Sequence, residues 1–333
     1  MKKIAVAALA LILLCLCGWG FHSLLRARAR PLERDSALAN RADELSARGQ
    51  YHKAKTLYDR LVAAAPTDGE LLLRRAAFYA EFGQFDSAMA DVDSAIAKGY
   101  SPAQSNLVRA LLLGRRGGRW DEQALYAQKA LDTEPLMPDA MAALAEAQYH
   151  FGDYQNALKN ISKAIAIHGN DTYMHALKAR ILLRAGDLAG AQKAAETAAL
   201  SMDPQALVLA ARVCHIQREF TKAAAYYGRA SAQVPKDYGI YREMAGALED
   251  GGRLEAAARA YYGYINNLPY GERYAVPATA EIARMFYEAR LFAKSIIAAD
   301  TALKFAPDAA PLKDIKTRAL AELAAAKKAG GRK

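Results

Sequence analysis

Downstream of residue 35 the apolar positions return every three or four residues. Leu71, Leu72, Ala76 and Tyr79 mark one such block, and Ala88, Val92, Ala95 and Ile96 the next. This is the period of helices with one buried face. No stretch alternates as a half-buried strand does, so the pattern predicts an all-α body.

The first residues follow a different rule. Lys2 and Lys3 precede a run from Ile4 to Leu25 that only Gly18, Gly20, His22 and Ser23 interrupt. About 20 apolar residues cross a bilayer as a helix. The run continues through Trp19 and Phe21, past the core of an ordinary signal peptide, and the one A-x-A tripeptide, Ala27-Arg28-Ala29, comes late and holds an arginine. Cys15 and Cys17 each follow a leucine, a poor fit to a lipoprotein signal. The reading is an uncleaved transmembrane helix and basic flank over 1–34, with a cleaved signal or a lipid anchor as rivals. Lysines on one side and Arg26, Arg28, Arg30 and Arg34 on the other nearly cancel as orientation signals. The start resembles a bacterial export signal, which favours a single pass through the inner membrane with the body on the periplasmic side.

The breaks between helical blocks recur. Gly49-Gln50-Tyr51, Gly83-Gln84-Phe85, Gly118-Arg119-Trp120, Gly152-Asp153-Tyr154 and Gly186-Asp187-Leu188 lie 34 or 35 residues apart, followed by Arg218-Glu219-Phe220, Gly252-Arg253-Leu254 and Arg290-Leu291-Phe292. Three residues past the aromatic or leucine stands an alanine: Ala54, Ala88, Ala157, Ala191, Ala223 and Ala257, replaced by Gln123 and Ser295 in the third and eighth copies. A second series lies upstream in all eight copies: Ala42, Ala76, Ala110, Ala145, Ala179, Ala211, Ala245 and Ala283. Paired small residues let two antiparallel helices approach closely, and each pair leaves apolar surface for the next to cover.

These residues resemble the tetratricopeptide repeat from about Asp35 to Asp308. Pro66, Pro135, Pro235, Pro269 and Pro307 match its closing proline, whereas Tyr100, Gly169 and Asp203 depart from it. The resemblance implies a right-handed α-solenoid of about eight helix-turn-helix units over 35–310. A capping helix and basic tail over 311–333 would cover the last unit through Leu312, Ile315, Ala319, Leu320 and Leu323.

Charge then changes meaning. The formal net charge is +10, but nine of those units lie in residues 1–34 and 327–333. A nearly neutral body does not favour nucleic acid as a partner; the basic ends suit lipid headgroups. No metal-ligand spacing, P-loop, nucleophile elbow or Cys/His cluster appears, so neither an enzyme nor a cofactor is expected. Cys214 reads as a packed small residue.

In the family that this chain resembles, the first helix of each unit lines a groove for a peptide or partner helix, and its ninth position points there. That column reads Asp43, Ala77, Leu111, Glu146, Arg180, Arg212, Gly246 and Arg284, with Arg242, Tyr149, Tyr173, His215 and Tyr287 at neighbouring positions. Arg180, Arg212, Arg242 and Arg284 would engage an acidic peptide or C-terminal carboxylate. The alternative is that each pairs with a nearby acid such as Glu146, Glu243, Glu249 or Glu281. The function implied is a membrane-tethered, non-catalytic protein-binding scaffold. A rival is an accessory role in envelope assembly, as in pilus, lipopolysaccharide or cytochrome maturation.

Overall fold

The computed structural model describes residues 36–169, 171–267 and 275–330. Among these residues there are seventeen α-helices and no strand. The expected membrane anchor lies outside the described residues, and no described helix is long and apolar enough to cross a membrane.

The chain divides into two compact units, the first ending at Phe151 and the second starting at Gly152. In the first, α1 (residues 36–47) and α2 (Tyr51–Ala64) pack through Ala42, Leu45, Ala54 and Tyr58, and α3 (Gly69–Glu81) pairs with α4 (Phe85–Ala97) and α5 (Pro102–Arg116) with α6 (Trp120–Thr133); α7 (Pro138–His150) packs on α6. The second opens with α8 (Tyr154–Ile167). It continues as pairs α9 (Thr172–Ala185) and α10 (Leu188–Ala198), α11 (Pro204–Ile216) and α12 (Phe220–Gln233), α13 (Tyr238–Asp250) and α14 (Leu254–Asn266), and α15 (Ala275–Glu288) and α16 (Phe292–Leu303). Helix α17 (Ala310–Gly330) packs on α15 and α16, burying Leu312 and Ala319. Leu320, expected on that covered face, is 48 % exposed instead.

Local sequence sets the turns. Five first helices start on side-chain caps: Asp68, Ser101, Asp171, Asp203 and Asp237 each accept from a backbone N–H two or three residues on. They end in a left-handed residue with paired backbone bonds, as where Gly186 donates to Leu183 and Asp187 to Leu182, at 3.3 and 3.0 Å. The second helix begins two residues later, usually without a side-chain cap. In the sixth copy the turn residue is Arg218 (φ 63°) and in the eighth Arg290 (φ 60°), where Gly49, Gly83, Gly186 and Gly252 occupy the same conformation elsewhere. Helix α10 is short and closes in a 3-10 turn over Ala199–Ser201, and Asp203, in the place of the closing proline, caps α11 instead.

Both alanine series are fully buried, from Ala42 and Ala54 to Ala257 and Ala283. Gln123 and Ser295 are equally buried in their two places. Ser295 donates its hydroxyl to the Ala283 carbonyl at 2.7 Å, which removes the cost of the polar atom. Cys214 is fully buried beside Ala211 and Ala223, and burial pushes its thiol up to about 11.

Candidate functional site: the first-helix face

Burying the eighth position of each first helix leaves the ninth about 100° round from it, at the edge of the buried face. Within each unit, bonds between neighbouring first helices bring several of these side chains together. In the first unit, Arg74 of α3 donates to Asp43 and, at 2.7 Å, to Asn40 of α1; the buried Tyr58 hydroxyl also donates to Asp43. Ala77 is exposed and Leu111 is 41 % exposed. Glu146 of α7 accepts from Gln123 Nε2 at 3.0 Å. Gln123 fits because residue 114 is glycine: a Cβ there would lie 2.6 Å from that nitrogen. Gln123 Oε1 has no protein partner. Nearby, Trp120 stacks flat on His150 at 3.6 Å between centroids, and Tyr149 meets His150 edge-on at 5.1 Å.

In the second unit the same face is more strongly paired. Arg212 Nε and Nη2 donate to both oxygens of Glu243, at 2.7 and 2.6 Å, and the Tyr227 hydroxyl donates to that carboxylate at 2.9 Å. His215 Nε2 lies 2.7 Å from Asp250 Oδ2. Arg284 reaches three carboxylates: Glu281 and Glu288 at 2.8 Å and Glu249 at 2.5 Å. Tyr287 carries the Arg318 guanidinium over its ring at 5.2 Å. Arg180 is half-buried, Arg242 exposed, and Tyr173 is 44 % exposed.

The arginines expected to line this face as ligands for a carboxylate are therefore partly committed. Arg212 and Arg284 adopt the alternative, pairing with Glu243, Glu249 and Glu281, and Glu288 joins them. The reason is geometric: residues 31 and 35 apart stand side by side on adjacent first helices.

The hydrogen bond from Arg212 holds the Glu243 carboxyl below its usual range. Burial, then the carboxylate beside each, pushes the hydroxyls of Tyr227 and Tyr58 up. Both are ordinary consequences of a desolvated hydroxyl against an anion.

Two hollows flank the Arg212–Glu243 pair. One, of about 490 Å³, is bounded by Arg212, His215, Ile216, Tyr227, Glu243 and Gly246. The other, of about 740 Å³, lies toward the helix N-termini between Asp203, Val208, Asp237 and Ile240. The sequence pattern does not single out Tyr227, Ile216, Asp250 or Glu288. Ile216 and Glu288 sit four residues past Arg212 and Arg284, so the column of ninth positions reaches them when it is extended by one helical turn. Among the described residues no group of three His, Cys, Asp or Glu side chains could hold a metal ion.

A family model described as tetratricopeptide repeat matches residues 45–112 and 118–181, and a second of the same description matches 176–238 and 217–272. Together they span well over half of the chain. No curated protein matches it in sequence. Among solved structures, the Cut9–Hcn1 hetero-tetramer of the APC/C aligns with a TM-score of 0.55 at 14 % identity, over 85 % of this chain. The match spans only 55 % of that chain. Pseudomonas aeruginosa pilF aligns at 0.48 and 15 % identity, over 65 % of this chain and 97 % of its own. YrrB, described as a TPR protein with an unusual peptide-binding site, aligns at 0.47 and 15 %, over 58 % of this chain and 99 % of its own. At these identities the likeness concerns the fold alone.

Proposed function

The chain belongs to the tetratricopeptide repeat family, and from that premise we propose a scaffold that binds partner proteins on its first-helix face while its N-terminal segment holds it at a membrane. Repeats of this kind act as protein-interaction scaffolds; which partner, and where in the cell, is the proposed part. The observation that carries the reading is the face of α11 and α13. It combines two hollows, a side chain as apolar as Ile216 left 53 % exposed, and polar groups already bonded to one another. Such a surface is pre-organised: little has to be ordered when a partner arrives. The tether is supported by the apolar run Ile4–Leu25 and by the basic residues at both its ends. Tethering would raise the effective concentration of whatever the face recruits.

Site-specific photo-crosslinking in membranes tests both halves. A crosslinker at residue 216 should trap a protein partner that one at residue 297, exposed on the second helix α16, does not. Equal trapping at both positions, or none at 216, counts against the scaffold. A topology reporter fused after residue 40 reads the side on which the body lies, and a reporter recovered only in the soluble fraction removes the tether.

A further inference from the structure

We propose that the first-helix face of the second unit accepts a partner segment in which an apolar side chain is followed, within two residues, by a basic one. The apolar side chain enters the hollow at Gly246, and the basic one lies against the carboxylates gathered around Arg284. This rests on the scaffold reading and sharpens it by naming the partner's chemistry.

The hollow exists because the ninth position is glycine in this copy alone of the last four. Its neighbours in the column are Arg212 and Arg284, whose long side chains reach across to Glu243 and Glu249 of α13. A Cβ at Gly246 would meet nothing within 4 Å. The polar walls ask nothing of a ligand, because Arg212 and Tyr227 are satisfied by Glu243, and His215 by Asp250. What is unsatisfied is apolar: Ile216, half out of contact with protein at the rim. An aliphatic or aromatic side chain that covers it gains burial without leaving a polar group stranded.

Charge selects the neighbour. Three carboxylates share one guanidinium at Arg284, each through a single oxygen, so the other oxygens remain available. Asp250 adds a fourth acid, 58 % exposed, next to Glu249. The local surplus is negative, and an incoming carboxylate would meet it unfavourably. A lysine or arginine would find several acceptors. Spacing agrees: Glu249 and Asp250 lie three and four residues beyond Gly246, one helical turn away at roughly 5 Å, the span that an extended segment covers in about two residues at roughly 3.3 Å each. The carboxylate-binding expectation is thereby reversed for this end of the face.

The test is selection of a random peptide-display library on the full chain in detergent, followed by affinity measurement of the winners. Apolar-x-basic patterns should be enriched. Gly246→Leu, which fills the hollow, should weaken the winners by on the order of tenfold or more, the worth of one buried aliphatic side chain. Glu281→Gln with Glu288→Gln should weaken them by about fivefold, an effect that salt diminishes. Gly246→Ala, which should fold at least as well, controls for helix integrity by circular dichroism. Winners with acidic residues, or winners indifferent to both variants, overturn the proposal. If such winners still depend on Arg180, the scaffold reading survives without it. If the full chain selects no peptide at all, both fall together.

Discussion

Arg218 and Arg290 occupy a backbone conformation that the six other copies give to glycine, which makes them a quantitative test of how the repeat turn works. Their φ angles of 63° and 60° fall in the left-handed region, beside 68–87° at Gly49, Gly83, Gly186 and Gly252. Both side chains are exposed, and among the described residues neither guanidinium makes a hydrogen bond or ion pair. The bonds that define the turn are backbone ones and survive substitution: Arg218 to His215 and Glu219 to Cys214 at 2.9 and 2.8 Å, and Arg290 to Tyr287 and Leu291 to Phe286 at the same lengths. Relief of a left-handed L-residue is worth about 1–2 kcal/mol. Greater freedom of the unfolded glycine returns about 0.4–1 kcal/mol of that. Arg218→Gly and Arg290→Gly should therefore each stabilise by about 0.5–1 kcal/mol, and the two should add because they lie in separate repeats. Urea denaturation followed by circular dichroism reads the sum, and hydrogen exchange at the amides of Glu219 and Leu291 reads each site, which matters because repeat arrays need not unfold in one step. The reverse change provides the refutation. At Gly186 and Gly83 a Cβ would meet nothing within 4 Å, so Gly186→Ala and Gly83→Ala should lose about 1 kcal/mol through φ alone. If those variants cost nothing, or Arg218→Gly lowers the midpoint, conformational strain does not govern these turns.

Gly114 and Gln123 should behave as a coupled pair. Gly114→Ala alone drives a Cβ into the amide and should destabilise, whereas Gly114→Ala with Gln123→Ala recreates the pair Ala80 and Ala88 of the second copy and recovers most of the loss, giving a coupling of about 1 kcal/mol in a double-mutant cycle. Tyr227→Phe should cost about 1.5–3 kcal/mol by thermal denaturation, the worth of a buried hydroxyl's bond to a carboxylate. Glu243→Gln should cost more, because Arg212 loses its charge partner as well. For pH the sign follows from the depressed Glu243 carboxyl: its contribution is fully present above the unfolded carboxylate value of about 4.3 and disappears as pH falls through the lower folded value. Acid titration of stability should thus be shallower below about pH 4 in Glu243→Gln than in the parent chain; identical slopes would show that the pair does not contribute.

The fold was legible because its determinants are local and repeated. An alanine at the eighth position and another past the turn report helix contacts that lie within a few tens of residues, and eight copies make the period unmistakable. Where a copy broke the rule, the compensation came from elsewhere and could not be read. Gln123 in an alanine place needed Gly114, nine residues back on the partner helix. The place of the closing proline after Ala191 holds Asp203, which caps the next helix directly after a 3-10 turn. The boundary between Phe151 and Gly152 falls inside the fourth copy, at a turn no different in sequence from the others.

The face was legible only as a list of residues. Reading one column down the first helices collects Arg180, Arg212 and Arg284 and suggests a positive stripe. The charge that a partner would meet depends on the neighbouring copy, in columns three places before and after. The relay of tyrosine, acid and arginine makes the point twice over. Tyr58 and Tyr227 hold the same place in their second helices, four residues past the small one. Tyr58 bonds Asp43, which precedes it in its own copy, while Tyr227 bonds Glu243, which comes from the following copy. In both cases the acid then receives an arginine from an adjacent first helix. The same tyrosine thus anchors ion pairs of opposite chain direction, and no single-column rule predicts which. Once such pairs form, most of the surface is compensated. Selectivity is left to the places where compensation is incomplete, and in the second unit those are the missing side chain at Gly246 and the three acids on one Arg284.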